Sequence, residues 1–146
     1  MATMRPRRRM DPYAEQFWEF TKSREFRLQQ CSACGKFRWP PAPVCDGCLS
    51  ESFEWMRATG RGTLLAWVIF RRQYFHEYPS GHHAGLVELD DGPLFITIPV
   101  DESGAEFKDG QELRDGLRME LYWLDAQDEF GEYWLPVFQP APRGRE

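Results

Sequence analysis

Four cysteines have the residue type and spacing that speak most directly of chemistry. They fall as Cys31-Ser32-Ala33-Cys34-Gly35 and Cys45-Asp46-Gly47-Cys48, with ten residues between the pairs. Two thiolates two residues apart sit on one tight turn, whose backbone N–H groups point at the sulfurs and stabilise their charge. Two such turns facing each other supply a tetrahedron of sulfur, the ligand set of structural Zn²⁺. Gly35 and Gly47 offer the backbone freedom that these turns need. A closed shell of four protein ligands leaves no position for water or substrate, so the expected ion supports the fold and performs no reaction. Iron in a rubredoxin-like site uses the same ligands and stays open at this point. Two disulfides require an oxidising compartment, and a redox-active pair is expected at a strand-to-helix junction in a βαβ unit. The sequence signals neither context.

Other polar groups are less ordered. His76, His82 and His83 share one stretch with Glu77 and Asp90, in no spacing that matches a metal-binding helix or a nucleophile elbow. They read as exposed loop residues, with proton transfer as the competing reading. Arg61, Arg71 and Arg72 bracket an apolar run, and Arg38 follows the first cysteine pair. Such cations suit the phosphates of an extended cofactor, whose adenine would stack on Trp39 or Phe70. Solubility and pairing with nearby carboxylates is the competing account. No phosphate-binding glycine loop, dinucleotide fingerprint or Ser/His/Asp order is present.

The elements that must position these groups follow from punctuation and periodicity. Residues 11–28 predict a helix, with Asp11 as cap, Pro12 in the first turn and Tyr13, Phe17 and Phe20 at helical spacing. Residues 29–52 hold the cysteines among Pro40, Pro41 and Pro43, which forbids a long helix. Strands follow. Gly62–Arg72 is apolar on both faces, as in a strand buried on both sides. Gly85–Leu89 and Leu94–Val100 flank the turn Asp90-Asp91-Gly92-Pro93 and form a hairpin. Leu117–Leu124 alternates, and Tyr133–Phe138 contains Pro136, which favours an edge or a bulge. Five strands without a long helix between them predict a five-stranded, OB-type barrel, so the fold class is mainly β.

The domain plan is therefore a basic, disordered arm (1–10), a helical segment (11–28), a zinc ribbon (29–52), a barrel (53–140) and a tail (141–146). The 146-residue chain carries a net charge of −5, and the arm's Arg5, Arg7, Arg8 and Arg9 leave −9 on the rest. A body that acidic repels phosphate backbones, which weighs against nucleic acid as partner. Apolar runs are too short for a membrane span, and the arginines lack the apolar stretch of a signal peptide. A reducing, cytoplasmic setting is the expectation.

This order of features resembles the DUF35 family of zinc-ribbon, OB-fold proteins associated with acyl-CoA metabolism. The residues that carry the likeness are Phe17-Trp18, the two cysteine pairs with Pro40-Pro41, Glu54-Trp55 and Gly60-Arg61-Gly62-Thr63. Leu86–Gly92, Gly110, Gly116 and Leu135–Pro140 complete it. The resemblance implies N-terminal helices, a rubredoxin-like zinc ribbon and an OB barrel. It also implies a non-catalytic subunit that docks on a thiolase-like or hotdog-fold hydratase enzyme and helps acyl-CoA reach the partner's active site. Arg38, Trp39, Arg61, Phe70, Arg71 and Arg72 then become candidate contacts for acyl-CoA. Relatives often carry a basic residue after the paired prolines and a proline after the third cysteine, where this chain has Ala42 and Asp46. Two other functions compete: a nucleic-acid-binding ribbon and barrel, and a stand-alone acyl-CoA enzyme using His82 and His83. An accessory subunit requires an exposed apolar patch on the leading helix and barrel rim.

Overall fold

The computed structural model describes residues 3–78, 80–107 and 113–142. Its elements are β1 (Thr3–Met4), α1 (Pro12–Lys22), β2 (Arg27–Cys31), β3 (Phe37–Arg38), β4 (Phe53–Arg57), β5 (Arg61–Ile69), β6 (His83–Leu89), β7 (Leu94–Thr97), β8 (Arg118–Asp128) and β9 (Gly131–Pro140). The protein is mainly β, with one short helix among the described residues, as expected.

Helix α1 starts where the Asp11 carboxylate accepts hydrogen bonds from the Tyr13 and Ala14 amides at 3.0 and 2.9 Å. It stops six residues before the expected end. Arg24 takes φ +56°, and the Arg24 and Glu25 amides donate back to the Thr21 and Phe20 carbonyls, a Schellman closure. The residues that follow pair instead as β2 against β4, from Arg27↔Arg57 to Cys31↔Phe53. β3 lies on the other edge of β2 and completes a three-stranded ribbon sheet. β4 thus belongs to the ribbon, where the sequence plan assigned it to the barrel.

The remaining strands form an OB-like barrel. β5 pairs with β6, β6 with β7, β8 with β5 and β9 with β8, all antiparallel. The parallel bridge Pro99↔Phe138 brings the end of β7 to β9, and the Phe138 amide donates to Thr97 Oγ1 at 3.0 Å. The hairpin turn is tied down by Arg118, which holds both oxygens of Asp90 at 2.9 and 2.7 Å. Leu64, Val87, Leu89, Phe95, Met119 and Phe138 are buried in one core with Phe17, Phe26 and Leu28. Phe26 stands edge-on to both Phe95 and Phe138, so helix and ribbon close one end of the barrel.

Two expectations change. The basic arm is not a free tail over its described residues 3–10. β1 pairs in parallel with Ala126 and Gln127 of β8, and Arg5 and Arg8 are buried. A buried carboxylate at Asp128 supplies the reason, since it engages the Arg8 amide and guanidinium together. The first long strand is also not buried on both faces. A bulge between Leu64 and Ala66 ends the buried stretch, and Leu65, Val68 and Phe70 are exposed. Gly110 and residues 143–146 of the expected tail lie outside the described residues.

Candidate functional site

The two cysteine turns are built alike. The Cys31 amide donates to the Lys36 carbonyl and the Gly35 amide to the Cys31 carbonyl; the Cys45 amide donates to Ser50 and the Leu49 amide to Cys45, each at 2.9 Å. Equivalent positions take left-handed backbone, Gly35 at φ +80° and Leu49 at φ +65°. Gly47 therefore is not the residue that needs the unusual torsion. It instead keeps space open, since a Cβ there would stand 3.3 Å from Lys36 Cδ. Lys36 crosses from the first turn to Asp46 of the second at 2.9 Å.

Facing each other, the turns bring four sulfurs within 4.8 Å, with Cys31–Cys48 at 3.5 Å and Cys34–Cys45 at 3.7 Å. A disulfide holds its sulfurs about 2 Å apart, so none of these pairs is bonded. A tetrahedral ion with metal–sulfur bonds of about 2.3 Å has sulfur edges of about 3.8 Å, and the cluster fits that size. Its electrostatics agree. Backbone amides of Cys34 and Ala33 bring the Cys31 thiol down to about 6, against the cost of burial. The Ser50 amide favours the Cys48 thiolate, but the neighbouring sulfurs and burial push that thiol to about 12. Four thiolates this close repel one another, and a cation at their centre lets all of them ionise.

A second feature lies on the barrel. In antiparallel pairs, partners point to the same face, and Ala66↔Leu86↔Ile96 form one row across β5, β6 and β7. Val68↔Ala84 is the next row in one direction, and Glu88↔Leu94 the next in the other. Val68 is 55% exposed and Ile96 73%. Thr63 is the β5 partner of Glu88, and Arg61 precedes it on the same side, so the apolar part of the outward face runs over Ala66, Val68, Ala84, Leu86, Leu94 and Ile96 and ends in a polar edge. Phe70 extends it, with its amide on the His82 carbonyl at 2.8 Å. Beyond lies a groove of about 430 Å³ lined by Phe70, Arg72, Tyr74, Phe75, Tyr78 and His82. Helix α1, by contrast, turns Phe17 fully inward, so of the helix and barrel rim expected to share an apolar patch it is the barrel that carries it.

The six candidate ligand contacts do not converge. Arg38 is buried in the ribbon, where Nε donates to Gln29 Oε1 and Nη2 to the Ala42 carbonyl, both at 3.0 Å. Its guanidinium organises the proline loop. Trp39 packs between Phe17 and Phe95, with centroids at 4.6 and 4.9 Å. It also lines an apolar cleft of about 340 Å³ with Tyr78 and His82. Arg61 opens β5 at the strand's far end, roughly 30 Å from Phe70 at about 3.3 Å per residue. Phe70 and Arg72 alone share one groove, and Arg71 is exposed beside them.

Residues 18–54 match the family described as ChsH2, rubredoxin-like zinc ribbon domain. A DUF35 domain-containing scaffold protein of Pyrococcus furiosus is 30% identical over 84 residues, or 54% of this chain and 59% of that protein. A chain of the Ltp2-ChsH2(DUF35) aldolase structure superposes with a TM-score of 0.77 at 27% identity, covering 93% of this chain and all of that one. The chain is a DUF35 zinc-ribbon protein. A Sulfolobus solfataricus DUF35 structure, 15% identical with a TM-score of 0.56, covers 90% of this DUF35 protein and 87% of its own chain, and shares the fold. A probable enoyl-CoA hydratase alpha subunit of Thermomonospora curvata is 30% identical over 126 residues. That match takes in 86% of this protein and 37% of the relative, so the chain spans less than two thirds of each of these two curated relatives.

Sequence reasoning missed one constellation in this DUF35 protein. His82 and His83, expected in an exposed loop, are largely enclosed. His83 starts β6 with Nδ1 on the Gly81 carbonyl at 2.9 Å, and His82 Nδ1 lies 2.7 Å from Glu106 Oε1. Glu106 is a carboxylate 24 residues away, and nothing in its spacing signals the pairing. Among the described residues, no helix is long and apolar enough to cross a membrane.

Proposed function

We propose that this DUF35 protein is an accessory subunit of an acyl-CoA enzyme, docking on a thiolase-like or hydratase partner that supplies the residues for the partner's own reaction. Zn²⁺ on Cys31, Cys34, Cys45 and Cys48 fixes the ribbon and takes no part in the reaction. The observation that carries the reading is the apolar outer face of β5, β6 and β7. Water-facing barrel strands normally alternate with polar residues, and a contiguous apolar face is how a protein surface meets another. The names borne by the relatives, an enoyl-CoA hydratase subunit and a scaffold protein, support the acyl-CoA setting and a hydratase as one class of partner. A barrel that binds single-stranded nucleic acid would run cations along stacked aromatics, whereas here Arg61 stands at one end of the face and Arg71 and Arg72 at the other, with Glu88 between.

A native pull-down of the tagged, full-length protein from its own cells, with mass spectrometry of what copurifies, tests the reading. A thiolase-like or hydratase subunit recovered in simple stoichiometry is the expected result. Recovery of the protein alone at the same expression level would overturn it.

A further inference from the structure

His82 lies parallel to two aromatic rings, Tyr78 at 4.1 Å and 14° and Phe70 at 5.8 Å and 18°. Its side chain is 8% exposed, yet it lines both the groove beyond Phe70 and the apolar cleft beside Trp39. Glu106 holds one edge of the ring at 2.7 Å, and Arg5 holds Glu106 from behind at 3.6 Å. Arg5 also sits 5.4 Å from the Tyr78 ring centroid. Backbone bonds fix the parts. The His82 carbonyl accepts from Phe70, and Glu106 bridges Val100 across a turn closed by the Asp101 carboxylate.

This arrangement settles the proton's place. The His82 hydrogen bond keeps the Glu106 carboxyl below its usual range, aided by Arg5 and opposed by burial. A carboxylate only accepts hydrogen bonds, so Nδ1 carries a proton, and in the neutral ring Nε2 is the nitrogen free to accept one. A loop clamp alone needs the Glu106 contact. It does not need the ring to form a wall shared by two cavities, with aromatic side chains around it and the Arg72 cation in the same groove.

We propose that His82 is a proton-transfer group for a ligand in this groove, with Glu106 as its positioning residue. The ligand class is an ester or thioester of an apolar acid. Phe70, Tyr74 and Phe75 take the apolar acyl portion, Arg72 meets an anionic end, and Nε2 takes or returns a proton at the acyl oxygen function. The natural ligand rests on the acyl-CoA reading above; the His82–Glu106 pair at the groove is a property of the isolated chain.

The probe is 4-nitrophenyl butyrate with the purified full-length protein. Nε2 accepts a proton from water as the water oxygen bonds to the ester carbonyl carbon. The bond to 4-nitrophenolate then breaks, and the proton leaves with the products. Release of 4-nitrophenolate above buffer is expected to fall about tenfold or more in His82→Gln, within the range of a positioned acid–base group. Exposed His76→Gln is expected to match wild type. Glu106→Gln is expected to lower the rate and displace its pH profile, since Glu106, Arg5, Tyr78 and Arg72 are the ionisable groups around the ring. A rate in His82→Gln equal to wild type overturns the proposal. If that variant does not fold, a wild-type pH profile in Glu106→Gln overturns it instead. The pull-down is read separately: a partner retained by His82→Gln while ester hydrolysis is lost supports both readings, and hydrolysis without any partner overturns only the docking reading.

Discussion

Arg8 and Asp128, 120 residues apart in the chain, form a bidentate pair in which Nε and Nη2 donate to the two carboxylate oxygens at 2.8 and 3.1 Å. Their side chains are 5% and 1% exposed, and the Arg8 guanidinium also lies 3.8 Å from the Tyr133 ring centroid. The Phe130 amide takes a further bond on the same carboxylate. The pair fastens the N-terminal segment across the β8–β9 turn.

Removing one partner leaves the other charge buried without compensation. Arg8→Ala and Asp128→Asn are each expected to destabilise the protein by about 3–5 kcal/mol, read as a lower urea midpoint. Arg9→Ala is the control, since its 3.9 Å contact with Asp11 is solvent-exposed, and a change of under about 1 kcal/mol is expected. Equal effects for Arg8→Ala and Arg9→Ala would mean that the arm is a free tail after all.

The same carboxylate sets a pH dependence. Burial pushes the Asp128 carboxyl up, but the Arg8 side chain, its amide and the Phe130 amide together bring it below the usual value. A group depressed in the folded state contributes stability above its unfolded value of about 3.9. That contribution is lost as pH falls through the lower folded value. Wild type is therefore expected to keep its stability from pH 7 to about 5 and lose it below about 4. Asp128→Asn should start lower and fall less steeply over that acid window, measured by urea unfolding at each pH.

The parts legible in the sequence were those set by near neighbours. The cysteine spacing, the Asp11 cap, the turn Asp90-Asp91-Gly92-Pro93 and the strand alternation each need only a few adjacent residues to be read. Arg8–Asp128 and His82–Glu106 were illegible because each joins residues brought together only by barrel closure. The run from Leu64 to Phe70 misled for a related reason. An apolar strand reads as buried, and sequence alone does not distinguish a covered outer face from one left open for a partner.

That open face gives a separable prediction. Val68→Glu with Ile96→Glu puts two charges on the β5–β6–β7 surface without entering the core, because both side chains are already in water. Thermal stability is expected to change by under about 1 kcal/mol, while partner recovery in the pull-down is lost. Copurification at wild-type stoichiometry would move the docking surface elsewhere on the molecule.

Metal removal is expected to strike the ribbon first. Its three strands are short, and the cysteine turns hold Cys31, at the end of β2, against the loop that carries Cys48. A strong chelator should abolish the near-ultraviolet signal of Trp39 and Trp55, and added Zn²⁺ should restore it. Cys45→Ser should bind less than one equivalent of metal by elemental analysis. Zinc rather than iron in the protein as isolated is the expected result of that same analysis.

Gly62 tests how tightly the barrel closes. A Cβ there would lie 2.5 Å from Val87 Cγ1 and 2.6 Å from the Glu88 carbonyl oxygen, inside any real contact. Backbone cannot retreat from backbone without breaking the β5–β6 ladder, where Gly62 pairs with Leu89. Gly62→Ala is therefore expected to cost about 1–3 kcal/mol by overpacking, although alanine is no worse than glycine in a strand. Gly92→Ala makes the comparison informative: nothing lies within 4 Å, and only its φ of +119° opposes the change. Urea unfolding of both variants separates crowding from backbone strain. If Gly62→Ala is as stable as wild type, β5 and β6 are packed less closely than this fold requires.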